Sequence, residues 1–301
     1  HHSVCLMKLK QRLMMLMCTY GVMGTTAEDY TVRLYKPLDP EFDLEKTALY
    51  IPYYAYDFWS DMFVIITTLS DAYLYTGDPQ YAQAGAILLD GIADVYPSYD
   101  LLIYYASRND FQVTDGNGGY GKIMGRINDC STGQQLANAC DALYPIIGDE
   151  TVLSFLSAKK GTEYTKEALW QNWRNNILLE IFNAAKKGQL KGNFGQQHAA
   201  VAAAAIILAE EPETTQMIEW IYASNPTIDK NGNQSGGNLG SQLIDVVDRD
   251  GFGNEASPNY NASWIERMTD MANYLAMYQG LPAALCTKCC PDICTRPFSP
   301  S

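Results

Sequence analysis

An all-α fold is what this sequence of 301 residues predicts. Three observations carry the prediction. Apolar residues recur at helical spacing in segment after segment, no long stretch alternates apolar and polar residues as a half-buried strand does, and Gly, Pro and Asp/Asn clusters punctuate the helical segments. Roughly ten such segments, joined by short turns and a few long loops, suit successive antiparallel helical hairpins, which means a bundle or an α/α toroid. Periodicity does not choose between these two, and no TPR- or HEAT-like consensus repeats along the chain.

The elements follow in order. MKLKQRLMMLMCTYGVMGTTAED, from Met7, has a basic stretch, a short apolar run and small residues, the pattern of a secretory signal peptide. Its Leu13, Leu16, Met17 and Tyr20 also follow helical spacing, so residues 1–30 read as a signal peptide or as a first helix. Residues 31–285 form the helical domain. Tyr50 to Thr76 is apolar and aromatic and stops at TGDP, where Gly ends one helix and Asp-Pro opens the next, PQYAQAGAILLDGIADVYP. A polar loop, RNDFQVTDGNGGYGKIMGRINDCS, precedes two further helical stretches, TGQQLANACDALYPII and KEALWQNWRNNILLEIFNAAKKG. GNFGQQHAAVAAAAIILAEE and ETTQMIEWIYASNP come next, then the loop TIDKNGNQSGGN, the segment LGSQLIDVVDRD, the run DGFGNEASPNYN and a last helix, ASWIERMTDMANYLAMYQG. Residues 286–301 change composition abruptly to CTKCCPDICTRPFSPS. Cys286, Cys289, Cys290 and Cys294 do not make the two separated CxxC pairs of a zinc site, and no histidine is at hand to complete one. The tail reads as disordered or as a gene-model artefact, and no metal or other cofactor is expected.

Charge and hydropathy exclude two partners. A net charge of −13 argues against nucleic acid, whose phosphates need clustered Lys and Arg. No stretch approaches the roughly 20 uninterrupted apolar residues of a membrane span. The 21 tyrosines offer flat amphipathic faces suited to sugar rings, and equally to a core.

One residue stands out. Apart from His1 and His2, His198 is the sole histidine. It lies where a polar loop becomes an alanine-rich helix with no polar face, and such a helix belongs in an inner layer. Asn193 is placed to cap that helix. The positive end of the helix dipole disfavours imidazolium, so His198 is expected to be neutral near pH 7. In DGFGNEASPNYN, Ser257-Pro258 signals a helix start, which puts Tyr260 near the first turn and on one face with Trp264. Each of these residues also has a plain structural reading: a helix-start histidine satisfying one hydrogen bond, and a half-buried tyrosine.

GNFGQQHAAVAAAA followed by RDGFGNEASPNYN resembles the heparinase II/III and alginate lyase families of polysaccharide lyases, as do GYGKIMGRINDCSTGQQLANACDAL and the TGDPQYA turn. The resemblance runs from about Tyr50 to about Gly280. It implies an incomplete α/α toroid that is normally followed by a large β-sandwich, so the chain reads as a shortened copy. It implies β-elimination at a uronic acid in an anionic polysaccharide, with Tyr260 and His198 as the acid/base pair. Gln197 stands where these families commonly have asparagine, and would neutralise the substrate carboxylate. Asn193, Asn128, Arg126, Lys122 and Glu255 are the further candidates for substrate binding. A secreted or periplasmic location goes with such a substrate. The chemistry suits the residue types, because amides on the carboxylate stabilise the enolate-like charge while Tyr or His moves the protons. A glycoside hydrolase would need a carboxylate pair, for which Glu255 with Asp129 or Asp250 are the available acids. A catalytically inactive carbohydrate-binding toroid is the third expectation. Asn233-Gln-Ser and Asn261-Ala-Ser match the glycosylation sequon.

Overall fold

The computed structural model describes residues 52–99, 121–230, 232–248, 251–253 and 257–278, without the side chains of 52–58, 126 and 127. The chain divides into two compact units, His1–Pro52 and Tyr53–Ser301. The expected signal peptide and the Cys-rich tail lie outside the described residues.

The described residues are predominantly helical, as the sequence predicts. The helices are α1 (Pro52–Thr76), α2 (Pro79–Val95), α3 (Arg126–Leu143), α4 (Glu150–Lys160), α5 (Lys166–Trp173), α6 (Leu179–Lys186), α7 (Gln196–Leu208), α8 (Glu213–Tyr222), α9 (Leu239–Asp245) and α10 (Pro258–Ala276). The nearest approach to a sheet among the described residues is a pair of isolated antiparallel bridges, Ile228 with Gln234 and Val247 with Gly253.

Local chemistry sets the boundaries. At TGDP, α1 ends, Asp78 accepts the Gln80 amide at 2.9 Å and Pro79 opens α2. Helix α4, which the sequence reading passed over, carries every terminal signal. Asp149 accepts the Thr151 and Val152 amides, Lys159 and Lys160 complement the C-terminal dipole, and Gly161 closes the helix in the left-handed region. Helices α5 and α6 form one rod interrupted by a π-helical stretch, Arg174–Leu178. There Arg174 ties the rod to the loop and helix that follow α7, with Nε on Glu210 at 2.6 Å and Nη2 on Glu213 at 2.9 Å.

Helix α3 begins at Arg126, six residues before the TGQQ start that periodicity predicts. The cause is Asp129. Its buried carboxylate accepts the amides of Lys122 (2.6 Å), Ile123 (3.1 Å), Met124 (3.0 Å) and Gly125 (3.1 Å), folding the preceding turn onto the first turn of the helix. Four charge-assisted bonds satisfy amides that would otherwise be orphaned. The RIND stretch after Gly125 is helical here for a reason that apolar periodicity does not register.

Helix α7 is the centre of the core. It packs against α3, α6, α8 and α10, and every residue from Ala199 to Ala205 is fully buried. Its alanines and single valine let four neighbours approach closely, which is why its sequence shows no polar face. Beneath it lie Trp173, Ile177, Leu178 and Ile181 from the α5–α6 rod and Leu136 and Leu143 from α3.

Candidate functional site

The site that the sequence singles out lies at the start of α7. Gly195 (φ +83°) occupies the N-cap position, and its missing Cβ leaves room for Arg267 and Met268 of α10. Asn193 is therefore not the cap. The Gln196 side chain reaches back instead, its Oε1 accepting the Asn193 amide at 2.7 Å, while the Asn193 carbonyl accepts the Gln196 amide at 3.0 Å. Gln beats Asn here because its longer side chain spans the turn that glycine creates.

His198 is 1% exposed. Its Nε2 bonds to the Gly237 carbonyl at 2.8 Å, and its Nδ1 meets no hydrogen-bond partner. Burial pushes the imidazole down to about 4 against the opposing effect of the Gly237 bond. His198 is thus neutral near pH 7, with desolvation as the main cause. Gln197 is also buried, and its Oε1 has no partner.

The loop carrying Gly237 is held firmly. Gln234 donates its amide to Lys186 O at 2.7 Å and accepts the Trp220 indole N–H at 3.0 Å. Gly237 donates its amide to Trp220 O at 2.6 Å, and Asn238 donates to Ala223 O at 3.0 Å. The sequence reading treated TIDKNGNQSGGN as a plain loop and missed the partner it gives His198. The one available signal was the Gly236-Gly237 pair, where two backbones come close.

Tyr260 lies on the first turn of α10 and is 49% exposed. One turn on, Trp264 is buried, with its ring 5.1 Å from Phe194 and the Gly253 backbone pressed on its face. The shared Tyr260–Trp264 face therefore dips from solvent into the core. Helices α7 and α10 run parallel. Phe194 and Gly195 meet Trp264 and Arg267 at one end, and beyond the other end Tyr278 bonds Thr215 at 3.0 Å and Glu211 at 2.5 Å. Both candidate residues thus sit toward the N-terminal end of adjacent parallel helices. They are not in contact. At about 1.5 Å per residue, the register of the pair places Tyr260 roughly 15 Å along the axis from His198.

The other candidates scatter. Lys122 is 1% exposed, its Nζ 2.6 Å from Glu180 Oε1, 3.3 Å from Tyr99 O and over the Tyr96 ring at 4.9 Å. Burial lowers its pKa while Glu180 holds it up. An ammonium committed in this way belongs to the core; the structure does not present it to a ligand. Asn128 is exposed on the first turn of α3. The side chain of Arg126, and Glu255 and Asp250 entirely, lie outside the described residues. Asp129, one of the acids open to a hydrolase, is spent on its four amides, and burial pushes it up to about 6 against them. The Asn261 sequon is sealed, since Asn261 is buried and donates to Ser257 O at 3.3 Å. Among the described residues no group of three or more His, Cys, Asp or Glu is arranged to hold a metal ion, and no helix is long and apolar enough to cross a membrane.

Comparison with protein-family models, with curated proteins and with solved structures finds no match.

Proposed function

We propose that this chain is a secreted or periplasmic polysaccharide lyase, built on an incomplete α/α toroid, that cleaves a uronic-acid-containing polysaccharide by β-elimination. Tyr260 and His198 are its acid/base pair and Gln197 faces the substrate carboxylate. The observation that carries this reading is a neutral histidine with an uncommitted ring nitrogen at the start of the core helix α7, beside a parallel helix whose first turn offers an accessible tyrosine hydroxyl. A buried acceptor without a partner costs about 1–3 kcal/mol, so Nδ1 and Gln197 Oε1 are groups for which a sugar hydroxyl or a transferred proton would be a gain. For one sugar to meet both His198 and Tyr260, the first turns of α10 must shift along the helix axis toward His198, and the buried Nδ1 must become open to the substrate.

The offset between the two residues favours a second reading, a helical domain that binds a glycan without cleaving it. Incubation with alginate, heparan sulfate and other polyuronates separates the two. The lyase gives a rise in near-ultraviolet absorbance from the unsaturated sugar, abolished by His198→Ala and reduced at least about 100-fold by Tyr260→Phe, the lower end of the range for a lost acid/base group. Binding with no such absorbance retires the lyase in favour of the second reading.

A further inference from the structure

A carbonyl oxygen only accepts hydrogen bonds, so the 2.8 Å contact between His198 Nε2 and Gly237 O requires a proton on Nε2. In a neutral ring the other nitrogen then carries the lone pair, and Nδ1 is the nitrogen left without a partner. We infer that the Gly237 carbonyl is the positioning group for His198: it fixes the neutral ring as the Nε2–H tautomer and leaves Nδ1 as the one atom at which His198 takes up a proton. The catalytic half of this inference rests on the lyase reading; the tautomer half does not.

Three features make Gly237 suited to the task. Its carbonyl cannot rotate away, because its own amide is bonded to Trp220 O at 2.6 Å and the next amide to Ala223 O. Glycine lets the loop backbone lie close against the ring. A Cβ there would lie 3.1 Å from both Cδ2 and Nε2 of His198 and 3.0 Å from Ile221 O, so a side chain requires the ring or the loop to give by a few tenths of an ångström. The carbonyl also stabilises the imidazolium that forms when Nδ1 is protonated, offsetting part of the burial that holds the ring neutral. In the elimination, the C5–H bond of the uronate breaks and its proton goes to Nδ1. The electron pair becomes the C4–C5 double bond, and the C4–O4 pair leaves on O4, which takes the Tyr260 hydroxyl proton. Loss of the Nδ1 proton to water and uptake of a proton from water by the tyrosinate reset the site, and Nε2–H stays on Gly237 throughout.

The test is nitrogen-15 NMR of the full chain carrying labelled histidine, with His198→Asn used to assign the His198 signals apart from those of His1 and His2. At pH 7 the expected spectrum has a proton on Nε2 and a bare Nδ1. A bare Nε2, or an imidazolium at pH 7, overturns the inference, and the wild-type protein alone decides this. Gly237→Ala should mix the two tautomers and lower kcat on a polyuronate at least tenfold with KM little changed. Gly240→Ala, which meets nothing within 4 Å, is the control and should match wild type. A Gly237→Ala protein with wild-type tautomer and rate overturns the positioning role. If the wild-type protein forms no unsaturated product, the catalytic half falls with the lyase reading, and the spectrum still decides the tautomer.

Discussion

At the residue scale, His198 shows how burial can reverse the usual meaning of a side chain. An exposed imidazole titrates near 6.5, whereas this one is held down to about 4 by desolvation. Between those two values the unfolded chain binds a proton that the folded chain does not, so stability rises with pH across that window. The contribution of His198 is complete above about pH 6.5 and is lost as pH falls toward 4, amounting to about 3 kcal/mol. Asp129 acts in the opposite sense, because its raised pKa stabilises the folded state at low pH and loses that effect as pH rises toward 6. Comparing wild type with His198→Gln cancels the Asp129 contribution. Urea midpoints measured between pH 7 and pH 4 should converge as pH falls, the wild type losing about 3 kcal/mol more than the variant. Parallel curves would mean that His198 is not desolvated in solution.

At the element scale, the turn before α3 and the α5–α6 rod are locked together by one buried ion pair. Lys122 Nζ and Glu180 Oε1 are 2.6 Å apart, and neither side chain has much water. Removing one partner strands the other charge, which costs about 3–5 kcal/mol, whereas replacing both with apolar groups of similar volume is often neutral. Lys122→Met is expected to destabilise by that amount in urea titration, and Lys122→Met with Glu180→Leu to recover most of it. If the single variant is harmless, the pair is more hydrated than its burial indicates. The same scale explains where helix boundaries were legible. TGDP, Ser257-Pro258 and the all-apolar run of α7 announce themselves through local conformational preference or composition. The early start of α3 and the cap of α7 do not, because each depends on a side chain, Asp129 or Gln196, folding back on a turn whose shape the rest of the domain sets.

At the scale of the whole molecule, the net charge of −13 works against the proposed substrate. Like-charged partners repel at long range, and salt within the physiological range screens that repulsion beyond about 8 Å. Turnover of a polyuronate should therefore have a kcat/KM that rises a few-fold as salt increases from about 10 mM to about 150 mM, with kcat nearly flat. A steep fall with salt would instead reveal a local cationic groove that governs encounter. The sequence by itself determined the helical class, the buried position of α7, the solvent-facing helix start bearing Tyr260 and the neutral state of His198. Each follows from composition or from contacts a few residues apart. Only the tertiary structure decided that Lys122 is a core residue, that Asn261 is sealed, that Gly237 is the partner of His198 and that Tyr260 stands well along the axis from it. Those facts depend on which helices become neighbours and in what register. That outcome is set by close packing around an alanine-lined core helix, whose uniform surface carries no mark of which neighbour belongs on which side.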